Sequence, residues 1–379
     1  MSRTPRFLRP SRILGPGLGL FLLAPWPAGR AAAADDPCQV PDVPRVVAVG
    51  DVHGAFDSFV TVLRFAGLLD AQNRWAGGKA HLVQTGDLLD RGKDAPKVLE
   101  LLMRLEGDAR KAGGRVHALL GNHEVMNMLG DLRYLNPEEY AFFRNPSSDP
   151  VRERFLRSVV ERAQKAAKER GEAFDPEAYR AKVAAQVPPG FVERTQAFSA
   201  EGRYGKWLRQ RPVMAKVDGV VFVHGGLTPE VAALGCAEVN ARVRREVNEG
   251  LEETRKAPAT TLAASEDGPL WYRGLAKDDE SLLAPRVEQV LKALGARAIV
   301  VGHSVTGDGR IQARFGGRVI GIDIGMCAVY GGHLAALEVG PDGKLTALYP
   351  DRREELARPA AAARVERPAS THSIGAAAR

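Results

Sequence analysis

Two carboxylates and a guanidinium stand between glycines in Gly86-Asp87-Leu88-Leu89-Asp90-Arg91-Gly92, directly after the apolar stretch at residues 80–85. If that stretch is a buried strand, Asp87 sits at its carboxyl end, where open α/β sheets place their ligands. Taken alone, the segment could equally be a solvated turn with a surface ion pair. Four further polar clusters change the weighing, because each follows an apolar run of its own: Asp51 and His53, Asn122 and His123, His224, and His303. Four of the chain's eight His fall at these places. Imidazole nitrogens with carboxylate and amide oxygens, and no thiolate, suit Mn, Fe, Zn or Co better than a soft metal or a calcium cage. The donors suffice for two ions. With one carboxylate bridging, two ions ~3.5–4 Å apart hold a hydroxide and both oxygens of an in-line displacement. Phosphoryl transfer needs little more than positive groups on the equatorial oxygens and a proton for the leaving group.

The elements that must position these residues show in the apolar spacing. Residues 44–50 read as a strand and 55–69 as a helix, with Phe56, Phe59, Val60, Leu63 and Leu68 at near-helical intervals. The same order returns with residues 80–85 and a helix over 95–112, whose Val98, Leu101, Leu102 and Leu105 share a face. It starts again at 115–120, which runs into Gly121-Asn122-His123-Glu124. Successive βα units thus carry polar clusters at equivalent positions, which makes the fold class α/β. From about 131 to 212 the chain turns into charge-rich helical sequence, a helical insertion. Within 151–170, Phe155, Val159, Val160 and Ala163 form a narrow apolar stripe. That is an amphipathic helix with a solvated face, and Glu153, Glu161 and Glu169 between the basic residues argue against a nucleic-acid arm. Strand patterns resume at 217–223, ending at His224-Gly225-Gly226, and at 297–301, ending at Gly302-His303-Ser304. Closing strands are expected at 319–324, 333–339 and 345–349, with a turn at 340–343.

The composition, 45% hydrophobic and 26% charged over 379 residues, is that of a globular protein with ample length for a core. Residues 1–34 stand apart: Arg3, Arg6, Arg9 and Arg12, an apolar run over 13–26 broken by Gly and Pro, then four Ala before Asp35. This is the order of a secretory signal peptide, too short and interrupted to span a bilayer well. The chain is therefore expected to be exported by the general secretory route to the periplasm or beyond, cleaved near Asp35, with no stable membrane span afterwards. Without this segment the chain holds 48 basic and 46 acidic side chains, and residues 35–350 hold 42 of each. The basic pI of 9.4 is mostly a property of the leader and is no argument for nucleic-acid binding. The Ala, Arg and Pro rich residues 351–379 are expected to be a disordered tail. Three cysteines, Cys38, Cys236 and Cys327, allow one bridge in an oxidising compartment, and the sequence leaves the pair open. Cys236 and Arg242 have the Cys-x5-Arg spacing of cysteine-dependent phosphatases. The intervening residues read as helix rather than as the tight loop a phosphate cradle needs.

Taken together, Gly50-Asp51-Val52-His53-Gly54, Gly86-Asp87 through Asp90-Arg91-Gly92, Gly121-Asn122-His123-Glu124, His224-Gly225-Gly226 and Gly302-His303 resemble the signature of the calcineurin-like metallophosphoesterases. Asp90-Arg91-Gly92 and the paired Gly after His224 are similar to the phosphoprotein-phosphatase branch, and the whole pattern resembles its bacterial Shewanella-like phosphatases, over about residues 45–340. The resemblance implies an αββα sandwich of two mixed sheets flanked by helices, with a catalytic domain over 35–350 and the metal site at the carboxyl ends of the strands. It implies two transition-metal ions, Mn, Fe or Zn, with Asp51 and His53 on the first, Asp87 bridging, and Asn122, His224 and His303 on the second. His123 would be the general acid with Asp90 hydrogen-bonded to it, and Arg91 would hold the phosphate, although Asp90 and Arg91 could instead pair with each other. Arg273, in Trp271-Tyr272-Arg273-Gly274, loosely matches a second phosphate arginine, and Tyr330 is a candidate for the rim. The implied activity is phosphomonoester hydrolysis, on phosphotyrosine or phosphoserine/threonine of proteins or on a small phosphoester. A nucleotide or dinucleoside polyphosphate hydrolase and a non-catalytic metal-holding module are the alternatives. Gly302-His303-Ser304 in place of the Arg-Ala-His of eukaryotic Ser/Thr enzymes, and the long insertion, depart from that branch.

Overall fold

Val46-Val47-Ala48-Val49 is buried at every position, so the strand it forms has no solvent face. Alternate residues go two ways, as the two-residue period of a strand requires. Val46 and Ala48 meet Phe222, Val300, Ile320 and Leu337 in one apolar cluster, while Val47 and Val49 join Leu63, Leu99 and Leu102 in another. The first cluster is the seam between two sheets and the second lies under helices. That arrangement is an αββα sandwich, as expected.

The computed structural model describes residues 37–356; the expected export segment and residues 357–379 of the expected tail lie outside the described residues. β1 (Val46–Val49), α1 (Phe56–Phe65), β2 (His81–Gln84), α2 (Ala95–Lys111), β3 (Arg115–Ala118) and α3 (Asn122–Leu129) are the strand and helix units read from the sequence. The insertion begins with a 3-10 turn at Pro137–Glu139 and continues through α4 (Tyr140–Phe143), α5 (Ser148–Arg170), α6 (Pro176–Gln186), α7 (Phe191–Phe198) and α8 (Arg203–Leu208). Then come β4 (Met214–Val217), β5 (Val220–Val223), α9 (Pro229–Ala233), α10 (Cys236–Asn248), α11 (Leu251–Lys256), α12 (Gly274–Lys277), α13 (Glu280–Leu294) and β6 (Ala298–Val301). The chain closes with β7 (Gln312–Arg314), β8 (Val319–Gly321), β9 (Ala336–Val339), β10 (Leu345–Leu348) and β11 (Arg353–Glu355).

One sheet has the order β11-β10-β9-β1-β2-β3 and the other β4-β5-β6-β8-β7. β1, β2 and β3 are parallel neighbours, as are β5, β6 and β8, and the outer strands run antiparallel. Each sheet thus gathers the carboxyl ends of three parallel strands along one edge. Among the described residues no helix is long and apolar enough to cross a membrane.

Three expectations are corrected. Residues 217–223 are not one strand. Asp218 and Gly219 both have positive φ, 47° and 73°, and make the two-residue turn of the β4–β5 hairpin, in which Val217 pairs with Val220. Asp-Gly is a strong signal for that turn. Residues 353–355, placed in the tail, are ordered by antiparallel pairing with β10 and by an ion pair of Arg310 with Glu354 at 2.6 Å. The third concerns 319–324, where the strand stops at Gly321 and Ile322 onward forms a loop beneath the site.

Cys38 and Cys236 form the disulfide and Cys327 is free and buried. The bridge fastens the first described residues to the start of α10, beside backbone bonds from Lys216 N to the Pro37 carbonyl and from Asp218 N to the Val40 carbonyl, both 2.7 Å. Cys236 is therefore helical and bonded, which removes the Cys-x5-Arg alternative.

Candidate metal centre and active site

The parallel strands end in polar loops that converge. β1 leads to Asp51 and His53, β2 to Asp87, Asp90 and Arg91, β3 to Asn122 and His123 at the start of α3, β5 to His224, and β6 to His303. All are buried except Arg91, which is half-buried. His53, Asp87, Asp90, Arg91 and His303 have positive φ, between 45° and 69°, and are five of the nine non-glycine residues in that state among those described. Such conformations cost of order 1–3 kcal/mol each and persist only where the surroundings over-determine them. Glycine is needed where a neighbour must come close. A Cβ on Gly121 would stand 2.2 Å from Asp87 Oδ1, and one on Gly302 would stand 2.4 Å from Asp51 Oδ1.

Asp87 is the centre of the arrangement. Its Oδ2 lies 3.5 Å from His53 Nε2 and 3.9 Å from His123 Nε2, and its Oδ1 lies 3.4 Å from His224 Nε2. Two compact ligand groups result, one of His53, Asp87 and His123, the other of Asp87, His224 and His303. They share only Asp87, as a bridging carboxylate would require. Asn122 joins the second group through Oδ1, 2.9 Å from His224 Nε2. Asp51 stands outside both compact groups; its two oxygens accept the His303 backbone N–H at 3.1 Å and it faces His224 Nδ1 at 3.8 Å.

The donor chemistry fits cations. His53 Nδ1 donates to the Leu89 carbonyl at 2.9 Å and His224 Nδ1 to the Thr85 carbonyl at 3.0 Å, which turns each Nε2 toward Asp87. His224 Nε2 faces oxygens of both Asn122 and Asp87. His303 Nε2 is buried without a hydrogen-bond partner. Burial, followed by the charges of Asp323 and Asp87, pushes the Asp51 carboxyl well above the usual range. Burial also lowers His53 and His303, keeping them neutral. Imidazole nitrogens, an amide oxygen and carboxylates crowded face to face are a donor set that positive ions satisfy, and the residues present suit two.

His123 is set differently. Its Nδ1 donates to Asp90 Oδ2 at 2.6 Å, and Asp90 also accepts from Asn127 Nδ2 at 3.1 and 3.2 Å. Burial alone would lower the His123 pKa, but Asp87 and Asp90 together raise it, favouring the imidazolium form. The Asp90–Arg91 pair that the sequence left open is absent. The Arg91 guanidinium stacks 3.9 Å over Tyr134 and lies 5.7 Å from the Tyr330 ring, with its Nε unpartnered. Tyr330 itself lies 5.4 Å from His53, on the rim. Arg273 is beside the second group, with Nη1 donating to the His303 carbonyl at 2.6 Å and to Ser304 Oγ at 3.2 Å, so part of it props the His303 loop.

Two residues without an assigned role are central here. Buried Glu124 accepts the backbone N–H groups of Gly121 (2.7 Å), Asp87 (2.8 Å), Leu88 (2.8 Å) and Leu89 (3.2 Å), fastening the Asp87 loop to the start of α3. Burial, then Asp87, lifts its pKa to about 7. A Glu three residues past a helix-starting Gly is a capping position, which is the signal that marks it. Asp323 follows β8 and presses on Asp51; burial pushes it up to about 6. It too comes just after an apolar run.

The sequence profile of the calcineurin-like phosphoesterases matches residues 44–307. Among curated relatives, Shewanella-like protein phosphatase 2 of Arabidopsis thaliana is 30% identical, covering 74% of this chain and 71% of that one. Shewanella-like protein phosphatase 1 of Plasmodium berghei is 27% identical, covering 74% and 67%. Among solved structures, the cold-active protein-tyrosine phosphatase of a psychrophilic Shewanella superposes with a TM-score of 0.63 at 27% identity, covering 84% of each chain.

Proposed function

From the premise that this chain belongs to the calcineurin-like phosphoesterases and is a metal-dependent phosphatase, we propose that it is an exported protein phosphatase acting on phosphotyrosine or phosphoserine/threonine. The observation that carries this reading is Asp87, shared by two ligand groups with the His123–Asp90 pair beside it. Asp51, His53, Asp87, Asn122, His224 and His303 would hold the ions, and the nitrogen and oxygen donor set favours Mn, Fe or Zn. Two bound cations supply an acidified water and neutralise charge on the phosphoryl oxygens. The chain's own residues do the rest. Arg91, free of Asp90 and stiffened by Tyr134, orients the phosphate together with the uncommitted part of Arg273. His123 delivers the proton from Nε2 to the leaving oxygen while Asp90 holds Nδ1. Export is supported by the order of residues 1–34 and by the Cys38–Cys236 bridge, which suits an oxidising compartment.

The test is metal analysis of the purified protein with a panel of phosphotyrosine and phosphoserine/threonine peptides, nucleotides and dinucleoside tetraphosphates. Release of phosphate from the peptides, abolished by a chelator and restored by Mn, Fe or Zn, is expected. A strong preference for the dinucleoside tetraphosphates would overturn the substrate class. Sequencing the mature N-terminus checks export: a start near Asp35 is expected, and an intact Met1 would sink the cleavage.

A further inference from the structure

The helical insertion sends a buried ion pair toward the active site. Arg194 on α7 and Glu139 in the 3-10 turn are both buried, and Arg194 Nε donates to Glu139 Oε1 at 2.6 Å. The guanidinium also lies 4.3 Å from the centre of the Phe198 ring. A buried pair of this kind adds little net stability compared with well-packed apolar residues. Its other contact gives it a use. Arg194 Nη2 donates to Asn127 Oδ1 at 2.9 Å. A guanidinium has only donors, so this bond holds the Asn127 amide in the same orientation that the acceptors on its other side require. Nδ2 is thereby turned to Asp90, donating to Oδ1 at 3.1 Å and Oδ2 at 3.2 Å, and to the His123 carbonyl at 3.0 Å. Asn127 lies four residues after His123 on α3, so the two side chains leave the same face of the helix. Asp90 then accepts His123 Nδ1 at 2.6 Å.

We infer that Arg194 and Asn127 are positioning residues for the proton donor. The insertion orients the Asn127 amide, the amide holds both oxygens of Asp90, and Asp90 fixes the His123 ring with Nε2 toward the leaving group. The inference rests on the reading of His123 as the general acid. It gives the insertion a part in the chemistry through a chain of four side chains, with no contact of its own to the substrate.

A role in proton delivery depends on the leaving group, and a merely structural role does not. Phenyl phosphate needs a proton for its departing oxygen, whereas a dinitrophenyl phosphate leaves readily as the anion. Asn127→Asp keeps an acceptor for Arg194 but turns a carboxylate on Asp90. The pair Glu139→Gln/Arg194→Met removes both buried charges together, so that neither is left alone. His123→Ala is the reference. In the metal-loaded full chain, both variants are expected to lower kcat on phenyl phosphate by roughly tenfold to a hundredfold, at or below the lower end of the ~10²–10⁴-fold of a general acid. On dinitrophenyl phosphate they should change it less than about threefold, with bound metal unaltered. An equal fall on both substrates, or no fall on phenyl phosphate, would overturn the inference. If the paired variant does not fold, Asn127→Asp decides alone. Should His123→Ala itself show no dependence on the leaving group, the general-acid reading fails; should His123→Ala show it and the other variants not, only the relay fails.

Discussion

The metal centre and the helical insertion are both rich in charge, and they manage it in opposite ways. In the centre, carboxylates and imidazoles are buried on left-handed backbone and held by other parts of the chain: Glu124 grips four backbone N–H groups, and Asp51 takes the amide of His303. In the insertion, charges lie on the solvent face of regular helices and pair there, across helices as Arg180 does with Glu153 at 2.5 Å or along one as Lys165 does with Glu169 at 4.0 Å. One region spends backbone strain to place charges where ions can answer them; the other leaves them to water. Asn127 and Arg194 are where the two meet, which is why the insertion's single buried ion pair described above points inward.

That contrast can be broken at several levels. The largest effect is expected at the shared carboxylate. Asp87→Ala removes the one ligand common to both groups and should lose bound metal together with activity, a fall greater than the roughly 10²–10⁴-fold of a general acid. Metal analysis beside turnover would show it, and full metal content in an inactive variant would contradict the bridging role. His123→Ala comes next. It should cost roughly 10²–10⁴-fold in kcat while the metals stay. Parallel loss of both would return His123 to the ligand set, a real alternative because its Nε2 stands within the first compact group.

A smaller effect concerns one buried and one half-buried imidazole whose charged neighbour is Arg115 rather than a carboxylate. His117 Nε2 and His81 Nδ1 are 3.0 Å apart; burial, then neighbouring positive charge, holds His117 down at about 3 and His81 at about 4, against an ordinary 6.5. The unfolded chain therefore binds more protons below pH 6.5, so the stability these residues allow is full above that value and lost as the pH falls toward 4 and then 3. Urea denaturation at pH 7 and at pH 5 would show the fall, and His117→Leu should flatten the slope. A slope unchanged in that variant would rule the pair out as its source. The smallest effect belongs to the insertion's surface. Arg180→Ala should change stability by about 0–1 kcal/mol, measured by thermal unfolding, as exposed pairs usually do. A loss of several kcal/mol would mean that the solvent face is not one.

How much of this could be read beforehand follows the range of the forces involved. The strand and helix units up to α3, the polar clusters at strand ends, and the helical character of the insertion come from neighbours two to four residues apart, so apolar spacing carries them. Asp87, His53, His224 and His303 were visible for the same reason, each closing an apolar run. The Asp218-Gly219 turn was also local, and was missed because the apolar residues on either side read as continuous. Glu124, Asp323, Asn127 and Arg194 are another matter: each acts on a group between 35 and 272 positions away, and only the packed chain brings them together. By itself, the sequence determined which donor types stand at which strand ends, because strands and their loops are short-range structures. The tertiary structure decided that Asp87 belongs to both ligand groups, that Asp90 pairs with His123 rather than Arg91, that Cys38 pairs with Cys236, and that the insertion reaches the His123–Asp90 pair through Asn127. Distances between groups far apart in the chain depend on how the two sheets pack, and no local pattern encodes them.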